Sequence, residues 1–138
     1  TLFRSDPQRT DRILVVDGDV LVRHAICDYL RRCGYVVMEA SNTDEALTVL
    51  RDGRRPVHAI LADAQAPGSQ NAFELRRWAA EHQTGIQVAL AGSIEAAAAR
   101  AAELCESGPH LARPYDPQGV VDYIRRLLQT PGRSPPDG

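Results

Sequence analysis

Three aspartates follow two largely apolar stretches of the chain, and their carboxylates are the groups best suited to chemistry. Asp17 and Asp19 come after residues 13–16, and Asp63 comes after residues 57–62. Neighbouring carboxylates repel each other unless a cation or a proton intervenes, and hard oxygen ligands suit Mg²⁺. For Asp19 alone, capping of the helix that starts directly after it is the simpler interpretation. Asp17 and Asp63 are therefore the main candidates for an acidic site.

Strands and helices alternate along the chain around these aspartates. Short apolar runs predict five strands, at residues 13–16, 35–38, 57–62, 86–91 and 110–112. Helical patterns follow them at 20–33, after the possible caps at 41–44, at 71–82 with Phe73 and Trp78 facing inward, at 94–106 and after Asp116. Strands that alternate with helices form a parallel sheet covered on both faces, so we expect an α/β fold.

The carboxyl ends of the strands are where such an open sheet binds ligands. Asp17 and Asp63 follow the first and third strands, Gly92-Ser93 follows the fourth, and Arg113-Pro114 follows the fifth. We therefore expect carboxylates, a hydroxyl and a guanidinium to converge on one rim of the sheet.

The composition is that of one ordinary globular domain. The chain has 138 residues, of which 43% are hydrophobic, and a net charge of −2, which gives no electrostatic case for binding nucleic acid or an anionic membrane. No apolar run approaches the roughly 18 residues of a membrane span and no signal segment opens the sequence, so we predict a cytoplasmic protein. We expect a flexible segment at 1–10, one domain at 11–129, and a disordered tail or linker in the Pro/Gly/Ser-rich residues 130–138.

The three cysteines, Cys27, Cys33 and Cys105, are an odd number without the spacing of metal ligands. For a cytosolic protein this predicts reduced and mostly buried thiols.

Four segments resemble the receiver domains of two-component response regulators. The segment ILVVDGDVLVR (13–23) is similar to the opening strand and helix of that family, and GYVVMEASNTDEAL (34–47) is similar to its second strand and helix. The segment AILADAQAPG (59–68) resembles the phosphoacceptor strand, and RPY (113–115) resembles the family's Lys-Pro-aromatic signature. The resemblance covers about residues 11–129. It implies a flavodoxin-like (βα)5 fold, with a five-stranded parallel sheet of order 2-1-3-4-5 and helices on both faces.

The resemblance also implies roles for the residues at the rim. Asp63 would be the phosphoacceptor, receiving its phosphoryl group from a sensor histidine kinase or a phosphotransfer protein. Asp17, Asp63 and the backbone carbonyl of Gln65 would hold Mg²⁺, with Asp19 as a further possible ligand. The peptide bond before Pro114 would be cis.

Several of the family's site residues are replaced in this sequence. Gly18 stands where a second acid is expected, which predicts weak Mg²⁺ binding, and the hydroxyl position falls on Gly92 or, if the loop shifts by one residue, on Ser93. Arg113 replaces the lysine, where it would contact phosphate or form an ion pair with Asp63. His110 stands at the usual position of the switch aromatic.

Two functions follow from these matches and replacements. One is a receiver that accepts phosphate on Asp63 and signals by conformational change. The other is a pseudo-receiver, a protein-binding module that works without phosphorylation. An enzyme is not expected, because the sequence has no Gly-rich phosphate loop and no nucleophile elbow.

The family's dimers use the face of helices four and five, which here carries Arg100, Glu103, Tyr123 and Arg126, so a homodimer is possible.

Overall fold

A computed structural model describes residues 12–54, 56–83, 85–107 and 116–129. Its strands are β1 (Arg12–Val16), β2 (Val36–Ala40), β3 (Ala59–Asp63) and β4 (Gln87–Ala91), which form one parallel sheet in the order β2-β1-β3-β4. The expected α/β fold is confirmed. The predicted fifth strand, together with His110, Arg113 and the bond before Pro114, lies outside the described residues, as do the segments 1–10 and 130–138.

Five helices lie in the described part of the chain: α1 (Val20–Arg32), α2 (Thr43–Asp52), α3 (Ala72–His82), α4 (Ile94–Ser107) and α5 (Pro117–Leu128). Their starts follow local capping chemistry. Asp19, Asn42, Asn71 and Asp116 each accept backbone N–H groups of the first turn of α1, α2, α3 and α5. Gly53 ends α2 in the left-handed conformation, with φ of 73°, which glycine adopts without steric cost.

The sheet separates two apolar cores, because alternate residues of a strand point to opposite faces. Leu14 and Ile60 point to the face covered by α2 and α3. Val15 and Leu61 point to the face covered by α1, α4 and α5. Both central strands are therefore buried on both sides, as their continuous apolar sequence predicts.

Helix α4 lies on the face of α1. A right-handed crossover to a strand outside β4 would have placed α4 beside α3 instead. The buried side of α4 is made mainly of alanines, Ala97, Ala98, Ala101 and Ala102, and these small side chains let α4 pack closely on α1 and α5.

Two expectations about individual side chains were wrong. Cys33 and Cys105 form a disulfide, with Cα atoms 5.6 Å apart, and only Cys27 is a free cysteine among the described residues. Phe73 is 53% exposed, because the buried stripe of α3 runs through Ala72, Leu75 and Ala79, and Phe73 lies outside that spacing. Trp78 is partly buried against the core between the sheet, α2 and α3, as predicted. None of the described helices is long and apolar enough to cross a bilayer.

Candidate functional site

The register of the sheet brings Asp17 and Asp63 to the same level. Val16 pairs with Ala62 across β1 and β3, so the residue that follows each of them lies at the carboxyl edge of the sheet. Asp17 has the same parity as Val15, and Asp63 has the same parity as Leu61, so both carboxylates lean toward the face of α1 and α4. The fold therefore brings Asp17 and Asp63 together at one edge of the sheet, as the sequence predicts.

A cavity of about 260 Å³ opens at this edge. Its polar side is formed by Asp17, Asp19, Asp63, Gln65 and Ser93. Its apolar side reaches between the helices and is lined by Val22, Ile26, Ala97 and Leu128. The cavity thus joins an acidic rim to the core between α1, α4 and α5.

The Asp17 carboxylate is held by the start of α1 and is hard to ionise. Its Oδ1 accepts a hydrogen bond from the Asp19 amide at 2.8 Å. Burial raises the pKa of Asp17 from 3.8 to about 6, the Asp19 amide partly opposes this rise, and the negative charges of Asp63 and Asp19 add to it. Asp17 is therefore mostly ionised at neutral pH, but it takes up a proton more readily than an ordinary aspartate.

Asp63 is the last residue of β3 and is partly buried. Its Oδ1 accepts the backbone N–H of Gln65 at 3.1 Å, and its carbonyl accepts the N–H of Ala66 at 3.0 Å. The following residue is tied to β4, because the Ala64 amide donates to the Ala91 carbonyl at 2.8 Å. Two loop contacts and one contact to the neighbouring strand therefore fix where the Asp63 carboxylate stands.

Asp19 acts as the cap of α1. Its Oδ1 accepts the amides of Leu21 at 2.9 Å and Val22 at 3.2 Å. The capping role that the sequence favoured for this residue is confirmed.

Gly18 is covered by the ring of Pro67. A Cβ atom built on Gly18 would lie 3.0 Å from Pro67 Cδ and 3.2 Å from Pro67 Cγ. The loop that carries Pro67 is in turn tied to α2, since the Thr43 amide donates to the Pro67 carbonyl at 2.9 Å. The position where the family has its second acid is thus tight for any side chain.

The two candidates for the hydroxyl position differ in what surrounds them. Ser93 Oγ accepts the amide of Ala96 at 3.0 Å and so caps α4. A Cβ built on Gly92 meets nothing within 4 Å. The hydroxyl of Ser93 lies at the rim and caps helix α4, whereas the space beside Gly92 is open.

The rim offers a cation two carboxylates. In the described ranges, no group of three or more His, Cys, Asp or Glu side chains is placed to hold a metal ion. Asp17 and Asp63 are the two carboxylates left at the rim once Asp19 is counted as a cap.

Arg23 and Glu39 lie outside the cavity and stabilise the backbone at Asp17. Arg23 Nη1 donates to the backbone carbonyl of Asp17 at 2.9 Å, and its Nε bonds Glu39 Oε1 at 3.0 Å. Arg31 also bonds Glu39, at 3.2 Å, and the two guanidinium groups outweigh the opposing effect of burial, so the pKa of Glu39 is lowered. Glu39 was not predicted from the sequence, where its exposed position on β2 was the only available signal.

No family model matches the chain. It is similar to two curated proteins described as transcriptional regulatory proteins. AruR of Pseudomonas aeruginosa is 26% identical over 121 residues, 86% of this chain and 49% of that protein. ResD of Bacillus subtilis is 28% identical over 124 residues, 90% of this chain and 50% of that protein. The chain spans about half the length of these relatives.

Solved structures match over most of their own length. A CheY-like response regulator receiver domain protein from Methanospirillum hungatei has a TM-score of 0.56 at 21% identity, covering 88% of this chain and 95% of that one. The signal receiver domain of an HD domain-containing protein from Pseudomonas fluorescens has a TM-score of 0.57 at 19% identity, covering 88% and 96%. CheY4 of Vibrio cholerae has a TM-score of 0.52 at 20% identity, covering 87% and 100%.

The chain has the response-regulator receiver fold. The resemblance read from the four sequence segments is thereby confirmed. In this receiver fold the rim with Asp17 and Asp63 lies where β1 and β3 end. Two departures from the receiver pattern, at Gly18 and Gly92, lie at that rim.

Proposed function

We propose that this domain is a receiver of two-component signalling that takes a phosphoryl group on Asp63. The observation that carries the proposal is the level placement of Asp63 and Asp17 at the ends of two adjacent strands, at the mouth of a cavity. The donor would be the phosphohistidine of a sensor histidine kinase or of a phosphotransfer protein. The domain would be a substrate of the kinase and a signalling module, with no turnover reaction of its own.

The proposed transfer uses the Asp63 carboxylate as nucleophile. One oxygen attacks the phosphorus, a P–O bond forms, and the P–N bond to the donor histidine breaks with its electron pair returning to the imidazole. The Gln65 amide holds Asp63 Oδ1, so the other oxygen, Oδ2, is the one placed to attack. The open space beside Gly92 leaves room for the transferred group.

The charges at the rim would affect how readily Asp63 accepts a phosphoryl group. A phosphoryl group on Asp63 brings additional negative charge close to Asp17, and the raised pKa of Asp17 lets that carboxyl take up a proton at a modest free-energy cost. We propose that Mg²⁺ binds weakly here, because Gly18 offers no side-chain oxygen and Pro67 covers it.

The same replacements favour a second candidate, a pseudo-receiver that binds a partner without phosphorylation. Gly18 offers no side-chain oxygen and is covered by Pro67, and the Ser93 hydroxyl is already engaged as an acceptor at the start of α4.

Phosphorylation with small donors separates the two functions. The protein is incubated with phosphoramidate or acetyl phosphate and Mg²⁺, and also with a histidine kinase, and is followed by intact mass and phosphate-affinity gels. We expect one hydroxylamine-sensitive phosphoryl group in the wild type and in Asp52→Asn, an exposed aspartate at the end of α2, and none in Asp63→Asn. A modified Asp63→Asn protein would refute the assignment, and an unmodified wild type with every donor would favour the pseudo-receiver.

A further inference from the structure

Cys33 and Cys105 connect two helices that both begin at the acidic rim. Cys33 follows the last turn of α1, Cys105 lies in the last turns of α4, and the two residues are 72 positions apart in sequence. At their other ends, α1 is capped by Asp19 and α4 by Ser93, and both of these residues line the cavity. The disulfide therefore joins the far ends of two helices whose near ends form the site.

The disulfide adds a covalent link to the packing of α4 on α1. The buried side of α4 consists mainly of alanines, which bury little apolar surface and make few contacts compared with leucine or valine. Near the disulfide, the Tyr35 hydroxyl bonds the backbone carbonyl of Leu104. Without the disulfide, α4 would be held by this hydrogen bond, by Leu104 and the alanines packed in the core, and by its contacts with α5, among them the Glu95–Arg125 ion pair.

The surroundings of the two sulfurs accept the reduced form as well. Cys33 is 0% and Cys105 is 3% exposed, and both belong to the apolar core between the sheet, α1, α4 and α5. A protonated cysteine behaves there as a small apolar side chain. Reduction consequently leaves no buried charge and no unsatisfied strong donor, so the fold tolerates both states.

The third cysteine does not compete in this chemistry. Cys27 is buried in α1, and burial raises the pKa of its thiol to about 12. It stays protonated, and a protonated thiol is a poor nucleophile.

We propose that Cys33 and Cys105 are a reversible dithiol–disulfide switch that sets how firmly α4 is held against α1. The oxidant is a low-molecular-weight disulfide such as oxidised glutathione. One thiolate attacks it and forms a mixed disulfide with release of one thiol, and the second thiolate then displaces the other thiol and closes the Cys33–Cys105 bond. Two cysteine thiols are oxidised, one external disulfide is reduced to two thiols, and the two protons pass to the released thiolates. Because both sulfurs are buried, the exchange occurs when the end of α4 opens locally.

The switch acts whether or not Asp63 takes a phosphoryl group, so it is tested by methods that do not depend on phosphorylation. The full chain is equilibrated without oxygen in buffers of varied reduced-to-oxidised glutathione ratio, quenched in acid, and its free thiols are counted with a mass-tagged maleimide. We expect the oxidised fraction to follow the glutathione ratio reversibly, from either starting state, with the domain folded throughout. A disulfide that never forms, or one that is reduced only when the domain unfolds, would overturn the proposal.

Hydrogen exchange then measures the effect on α4. We expect amides of residues 94–107 to exchange about tenfold faster in the reduced protein, because local opening of α4 becomes easier, while those of β1 and α2 stay unchanged. The wild type in its two states suffices for this comparison. Cys27→Ala should respond to glutathione as the wild type does, and Cys33→Ser or Cys105→Ser should show fast α4 exchange at every ratio. Equal α4 exchange in the oxidised and reduced wild type would refute the coupling.

Discussion

Pro67 lies over Gly18 so closely that a Cβ atom on the glycine would be 3.0 Å from the Cδ of the ring. The contact joins the loop after β1 to the loop after β3, across the position where receivers carry a second acid. A side chain introduced at position 18 would therefore press against the Pro67 ring.

Gly18→Ala should destabilise the domain by about 1 kcal/mol, since a tight contact must be relieved by a shift of the Pro67 ring. In a Pro67→Ala background the same change should cost less, with a coupling of at least about 0.5 kcal/mol. Urea denaturation of the four proteins in this cycle measures it. Additive effects would show that the two residues do not oppose each other.

Gly18→Asp should strengthen Mg²⁺ binding, because it returns a carboxylate to the rim. The gain should be larger in Gly18→Asp/Pro67→Ala than in Gly18→Asp, as the ring no longer displaces the new side chain. Amide shifts near Asp17 and Asp63 during a Mg²⁺ titration give the affinities, with Gly18→Asn as the uncharged control. Tight saturable binding by the wild type would contradict the expectation of an incomplete site.

Gly92→Ser should fold with stability within about 0.5 kcal/mol of the wild type, because the space beside Gly92 is open. Its hydroxyl should donate to the phosphoryl group on Asp63, and a hydrogen bond to a charged group contributes about 1.5–3 kcal/mol. We expect the aspartyl phosphate to accumulate about tenfold more at the same donor concentration. Gly92→Ala is the control for side-chain size, and an equal gain in Gly92→Ala would show that the hydroxyl is not responsible.

Asp17→Asn should stabilise the domain at pH 8 and lose that advantage below about pH 4. The pKa of Asp17 is raised from 3.8 to about 6 in the folded state, so its protonated form is favoured by folding, and stability falls as pH rises through this window. Asparagine keeps the Oδ1 acceptor for the Asp19 amide. Thermal unfolding of both proteins from pH 3.5 to 8 checks the sign, and a difference that does not change with pH would exclude Asp17 as its source.

Thr43→Val should cost about 1–2 kcal/mol of stability, because the change leaves the partly buried Gln70 carbonyl without its hydroxyl partner. Thr43 is fully buried, and its hydroxyl donates to the Gln70 carbonyl at 2.6 Å. Thr48→Val is a matched control on the same helix, since Thr48 is exposed and bonds its own helix at Asp44. Equal losses in the two variants would mean that the hydroxyl bond from Thr43 to Gln70 does not stabilise the loop after β3.

Local sequence patterns predicted the parts of the structure that depend on neighbouring residues. The Asp19 cap and the level ends of β1 and β3 follow from capping and strand rules. Phe73 is exposed because it lies two positions before Leu75, off the buried stripe of α3, which its hydrophobicity alone does not reveal.

The features that could not be predicted from the sequence are contacts between distant segments. The closure of Gly18 by Pro67 joins residues from two loops, and no periodic pattern encodes such a contact. The pairing of Cys33 with Cys105 depends on α4 lying beside α1, whereas the crossover rule would place α4 on the other face. The positions of the side chains at the rim likewise depend on the conformation of the loops that follow the strands.

The shared starting point of α1 and α4 also shapes the electric field at the rim. Each helix start carries a partial positive charge of roughly half an elementary unit from its aligned peptide dipoles. Two such ends, at Asp19 and Ser93, border the cavity that holds Asp17 and Asp63. They partly offset the negative charge that Asp17, Asp19 and Asp63 bring to the cavity. A shift of the start of α4 would remove part of this offset, so the position of that helix would change the charge balance at the rim.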